Sequence, residues 1–120
     1  MQQYLTFITK HKPTNGQVAT ARQMGFAGIN VKTIEFGGNP VEQLVAVGIY
    51  PGSTIAVVAP LFVSLMLLRA GYTIVDFVNE PSARQRGVFV CRGAWVHTLQ
   101  ESAFVPCPIP LEAQEESALA

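Results

Sequence analysis

Two clusters of basic residues hold most of the chemistry this chain offers. Thr9-Lys10-His11-Lys12-Pro13-Thr14 packs two lysines, a histidine and two hydroxyls into six residues, and Arg84-Gln85-Arg86 adds two guanidiniums far along the chain. Lysine and arginine donate charge-assisted hydrogen bonds to carboxylates and phosphates. Histidine titrates near neutrality and can act as general acid or base beside a reacting group. Together these types point to recognition of an anion. Lys10, His11 and Arg84 are the catalytic candidates, and Thr9, Lys12, Thr14, Pro60, Asn79 and Arg86 are the ligand-binding candidates. Basic loops are often only solvated surface, so the elements that position these residues decide between the readings.

The first cluster follows an apolar, β-favouring run at Gln3–Thr9. Thr14 then reads as a helix N-cap, with Gln17 three residues on completing a capping-box pattern and Gly25 supplying the stop. A second strand is expected over Ile29–Phe36. Asn39-Pro40-Val41-Glu42 opens a helix over 39–48, with an Asn cap, proline at the first helical position and an acid in the first turn. Thr54–Val58 is apolar on both faces, as in a strand at the centre of a covered parallel sheet. After Ala59-Pro60 comes a helix over Leu61–Ala70, apolar almost all round and stopped by Gly71. Tyr72–Val78 reads as a fourth strand, Asn79–Gly87 as a polar loop, and Val88–Leu99 as a last strand bulged near Gly93.

Alternation of strands and helices predicts one small α/β domain over residues 1–100. The expected form is Rossmann-like or flavodoxin-like, a mostly parallel sheet with helices on both faces and the last strand antiparallel at an edge. Residues 101–120, with Pro106, Pro108, Pro110 and an acidic, Ala-containing end, read as a tail. In such a sheet the loops after strands one, three and four share the carboxyl edge, where α/β proteins bind ligands. That predicts convergence of Thr9–Thr14, Ala59-Pro60 and Asn79–Gly87.

Composition narrows the ligand. Net charge is zero, yet residues 1–100 carry all eight Lys and Arg against four acids, while the last twenty residues hold the other four acids. A mildly basic body with an acidic end suits a small anion and not long duplex nucleic acid, which calls for a denser basic face. Cys91 and Cys107 are too few for a disulfide framework or a zinc site, so no metal or cofactor is expected, and a reduced, cytoplasmic setting is the default. The longest apolar stretch, Ile55–Leu68, is 14 residues with Pro60 inside, short of the roughly 20 needed to span a bilayer. No membrane association is expected.

Other chemistries find no support. Neither G-x-G-x-x-G nor a P-loop is present. Ser53 and Ser82 lack a nucleophile elbow, and Glu80 is the only acid at the expected loop edge, which disfavours paired-carboxylate chemistry. The helix over Leu61–Ala70 has no polar face. It is either fully buried between the sheet and the tail or part of a subunit interface, and a two-fold homodimer is expected.

The opening strand with Thr9-Lys10-His11-Lys12-Pro13-Thr14, then Gln17 and Ala21 on a helix ending at Gly25, resembles small single-domain CRISPR-associated Rossmann-fold (CARF-like) proteins. Val57-Val58-Ala59-Pro60-Leu61, Arg69-Ala70-Gly71-Tyr72 and Glu80-Pro81-x-x-Arg84-x-Arg86-Gly87 are similar in layout to stand-alone members of that group. The resemblance covers residues 3–90 as layout. It implies a homodimer that binds a cyclic oligoadenylate second messenger across its two-fold axis. It also implies metal-independent ring-nuclease cleavage by attack of a ribose 2′-hydroxyl on the adjacent phosphate. Lys10, Lys12, Arg84 and Arg86 would stabilise the developing charge, with Thr9 and His11 orienting. The rival expectation is a small phage or mobile-element accessory protein that binds a partner protein through its apolar third helix.

Overall fold

Local sequence and chain order account for most of the architecture. The computed structural model describes residues 3–114. In chain order the elements are β1 (Leu5–Ile8), α1 (Asn15–Gln23), β2 (Ile29–Lys32), α2 (Pro40–Ala46) and β3 (Thr54–Val57). They continue with α3 (Leu61–Ala70), β4 (Thr73–Pro81), β5 (Phe89–His97) and β6 (Ser102–Pro106), and a helical turn at 111–114 follows. They build one six-stranded mixed sheet of order β2-β1-β3-β4-β5-β6. The first four strands are parallel, and β5 and β6 are antiparallel. The arrangement is consistent with a small Rossmann-like fold.

The capping signals form as the residues dictate. Thr14 Oγ1 accepts from the Gln17 amide while Gln17 Oε1 accepts from the Thr14 amide, a reciprocal box that fixes the start of α1. Asn39 caps α2 through the amides of Val41 and Glu42. Gly71 ends α3 at a φ of 105°, a left-handed conformation that costs an L side chain about 1–2 kcal/mol.

Strand alternation splits the core into two layers. Ile8, Ile55, Val57 and Ile74 pack with Leu44, Val63, Leu67 and Tyr72 on the α2/α3 side. Leu5, Phe7, Ala56, Val75 and Ala94 pack with Ala21 of α1 on the other. The buried Tyr72 hydroxyl donates to the Ile49 carbonyl at 2.6 Å, tying the start of β4 to the segment after α2.

Three expectations are corrected. The tail drawn at 101–120 is in part sheet: Ser102–Pro106 pairs with β5 in register Gly93↔Pro106 to His97↔Ser102. Proline is compatible with an edge strand, so Pro106 closes β6 without breaking it. The edge position expected for the fifth strand therefore belongs to β6. The acidic end beyond Gln114 lies outside the described residues. Second, β4 runs to Pro81 with a register shift between Val78 and Asn79, not stopping at Val78. Third, β2 ends at Lys32, not Phe36.

The described part of the C-terminal segment, through Gln114, bears on how α3 is covered. It packs on the α1 side, where the buried Gln114 side chain bonds the Cys91 amide at 2.7 Å and the Cys91 carbonyl at 2.8 Å. Full burial of α3 beneath the tail is therefore overturned. Val63 and Leu67 of α3 are buried, while Leu61 is 75% and Phe62 64% exposed. No helix of the described residues is long and apolar enough to cross a membrane.

Candidate functional site

The β1–α1 turn is built by short-range hydrogen bonds. Thr9 is pinned by its amide to the Lys32 carbonyl at 3.1 Å, and its Oγ1 accepts from the His11 amide at 3.2 Å. Its hydroxyl shapes the turn. The capping box then aims the start of α1 at the same space. The amides of Asn15 and Gly16 make no hydrogen bond among the described residues, as expected for a helix start whose other two donors are capped.

This turn lies at the topological switch point. β1 sends the chain to β2 on one side and β3 leads to β4 on the other, opening a crevice beyond their carboxyl ends. Two adjoining chambers occupy it. One, of about 590 Å³, is lined by His11, Lys12, Thr14, Asn15, Gly16 and the returning arm Gly87-Val88-Phe89, with Gln114 beside them. The other, of about 280 Å³, is lined by Phe7, Thr9, Gln17, Val58 and Asn79 together with His11, Lys12, Thr14 and Phe89. The Gln17 and Asn79 side chains meet at its wall, with Gln17 Nε2 donating to Asn79 Oδ1 at 3.4 Å.

No family model matches this chain, and no curated protein and no solved structure is significantly similar to it. The site must be read from its own geometry.

The structure brings Thr9, His11, Lys12, Thr14 and Asn79 together around the crevice. It takes the other candidates elsewhere. Lys10 turns toward β2 and pairs with Glu35 at 3.0 Å, an exposed ion pair of small worth. Arg84 lines a separate groove with Glu80, Pro81, Val90, Leu111 and Glu112. Arg86 shares that hairpin loop and is not among the residues lining the crevice. Pro60 caps α3 without a side-chain bond, and its neighbour Val58 reaches the site in its place.

The cause of this separation is the longer β4. Three further strand residues at about 3.3 Å each carry the loop about 10 Å past Val78. Ser82 then folds the loop tip, its Oγ accepting from the amides of Arg84 and Gln85. Lys10 and His11 share a further pocket of about 220 Å³ with Thr9 and Val58, whereas Arg84 lines a groove that contains neither of them.

Phe89 and Gln114 escaped the sequence reading. Phe89, 55% exposed, begins β5 two residues after Gly87, a place where an aromatic reads as core. Gln114 sits in a stretch whose composition suggests solvent, yet it forms part of the floor under Gly16. A Cβ on Gly16 would overlap Gln114 and come within 2.9 Å of the Cys91 Cβ. Burial pushes the Cys91 thiol up, an effect partly offset by its contacts with Thr20 and the Gly93 carbonyl, so it is no nucleophile at neutral pH. Among the described residues no cluster of His, Cys, Asp and Glu could hold a metal ion.

Proposed function

We propose that this protein binds a phosphate-bearing ligand at the switch-point crevice, and that its class is the cyclic oligoadenylate messenger implied by the resemblance. The observation that carries the reading is the meeting of Lys12, His11 and the two unbonded α1 amides in one chamber. Backbone amides at a helix start beside a lysine form an arrangement that suits phosphate. The strand order across the parallel half is the one flavodoxin-like sheets use, and those sheets bind ligands at this place.

Magnitudes bound the affinity. Three or four charge-assisted bonds give roughly 5–12 kcal/mol gross, against an association cost of at least about 4 kcal/mol. One phosphate on one protomer is thus held weakly. A second copy of the site would raise the affinity for a cyclic ligand, and the exposed Leu61, Phe62, Leu65 and Met66 of α3 supply an apolar face for a homodimer. With Lys10 and Arg84 directed away, storage or sensing of the messenger fits this site better than ring cleavage.

Thermal shift tests this. Inorganic phosphate, ribose 5-phosphate, AMP and cyclic oligoadenylates are each titrated, and a ligand at 100 times its dissociation constant adds about 2.7 kcal/mol of stability. The expected result is stabilisation by cyclic oligoadenylate that Lys12→Ala abolishes; no stabilisation by any of these compounds overturns the proposal. The same α3 face supports a second reading, a docking surface for a partner protein. Phe62→Glu separates them: it dissociates a homodimer in sedimentation if the face is self-associating, and leaves a monomer unchanged if the partner is another protein.

A further inference from the structure

The two chambers of the crevice differ in chemistry, and the difference is specific. The larger is lined by Asn15 and Gly16, whose amides make no hydrogen bond among the described residues, beside Lys12 and His11. The smaller adds apolar Phe7 and Val58 and the amide side chains of Gln17 and Asn79, while His11, Lys12 and Thr14 line both. Phe89 lines both, more than half exposed at a site where burial against the core would be the default for phenylalanine.

We propose that the smaller chamber is a nucleobase subsite, with Phe89 as the stacking surface and Asn79 reading the edge of the base. The inference rests on the reading of the larger chamber as a phosphate site, and it adds the specificity-determining residues. An aromatic face stacks on any base, because every base has a π-face. Base recognition also needs hydrogen-bonding groups at fixed positions, and the Asn79 amide is held by its neighbour. Its Oδ1 accepts from Gln17 Nε2, while Gln17 Oε1 is committed to the capping box. Asn79 Nδ2 makes no hydrogen bond among the described residues. It is the donor left for a ring nitrogen or carbonyl oxygen of a base. The site would thus take a nucleoside phosphate in preference to a sugar phosphate, with Lys12 and His11 between its two ends.

The test is a binding titration of ribose 5-phosphate and AMP, which share a phosphate and a sugar and differ in the base. Wild type is expected to bind AMP about tenfold to a hundredfold more tightly. Phe89→Ala should collapse that preference, read as the ratio of the two affinities, and Phe89→Trp should keep it. Asn79→Leu, which removes the donor without adding charge, should weaken AMP about twofold to tenfold and lower its preference over ribose 5-phosphate. Equal affinity of wild type for the two compounds, or an AMP preference that survives Phe89→Ala, overturns the nucleobase subsite and leaves the phosphate site standing. Binding of neither compound overturns both.

Discussion

The turn after β1 and the loop after β4 are alike in composition and unlike in situation. Both carry two cations within a few residues and both follow strands of one sheet. The turn is short, ends in a capping box, and stands over packed groups: Gly16 against Gln114 and Cys91, Thr20 Oγ1 bonded to the Gly16 carbonyl at 2.7 Å. The loop is the tip of an antiparallel hairpin that overshoots the parallel strands. What separates them is the partner of the strand beneath. A parallel strand hands its chain to a helix at the carboxyl edge, whereas β4 keeps pairing with β5 and carries its cations outward. Basic residues at a strand end therefore stay at the carboxyl-edge crevice only where the strand stops.

Glycine substitutions give the largest contrast between the two regions. Gly16→Ala puts a methyl into the Gln114 clasp and is expected to cost about 3 kcal/mol, the scale of overpacking in a filled site. Gly87→Ala in the loop meets nothing within 4 Å and pays only for its φ of +82°, about 1 kcal/mol. Urea unfolding of both variants checks the pair; equal losses would mean that the turn does not stand on a packed floor.

Next in size is the cap. Thr14→Ala removes the acceptor for the Gln17 amide and should cost about 1 kcal/mol. It should also loosen the start of α1, so phosphate-ligand affinity falls with stability. Ser82→Ala, which removes the equivalent organiser of the loop tip, is expected to leave that affinity unchanged. A binding loss in the Ser82 variant would show the loop tip, and not only the ends at Asn79 and Gly87, to be part of the site.

The smallest effect is a pH dependence under the turn. Burial raises the Cys91 thiol, so the folded protein keeps this proton at pH values where the unfolded chain releases it. The stability it supplies is complete below the unfolded value and is lost as pH rises through the folded one. Urea midpoints should fall more steeply in alkaline solution for wild type than for Cys91→Ala. Parallel slopes would contradict this.

How much of this was legible in the residues follows the range of the forces. The caps at Thr14 and Asn39 and the stop at Gly71 act within one turn of chain, and each lies where its residue type placed it. The apolar β3 read as central for a similarly local reason. The end of β4 did not, because Asn79, Glu80 and Pro81 disfavour a strand and only pairing with β5 makes them one. β6 was hidden by Pro106, which an edge position tolerates. The convergence of Thr9, His11, Lys12, Thr14 and Asn79 on one crevice was legible from type and chain order. Phe89 and Gln114 were not, since their roles arise from contacts across 70 residues or more of chain with the turn and Gly16.

Calorimetric titration of AMP into Lys12→Ala and Arg84→Ala tests the central claim most directly, because it compares one cation from each region. The crevice account predicts at least about a tenfold loss of affinity for Lys12→Ala, the worth of one charge-assisted hydrogen bond, and a change within about twofold for Arg84→Ala. A larger loss from Arg84→Ala than from Lys12→Ala would contradict it and move the anion site to the hairpin.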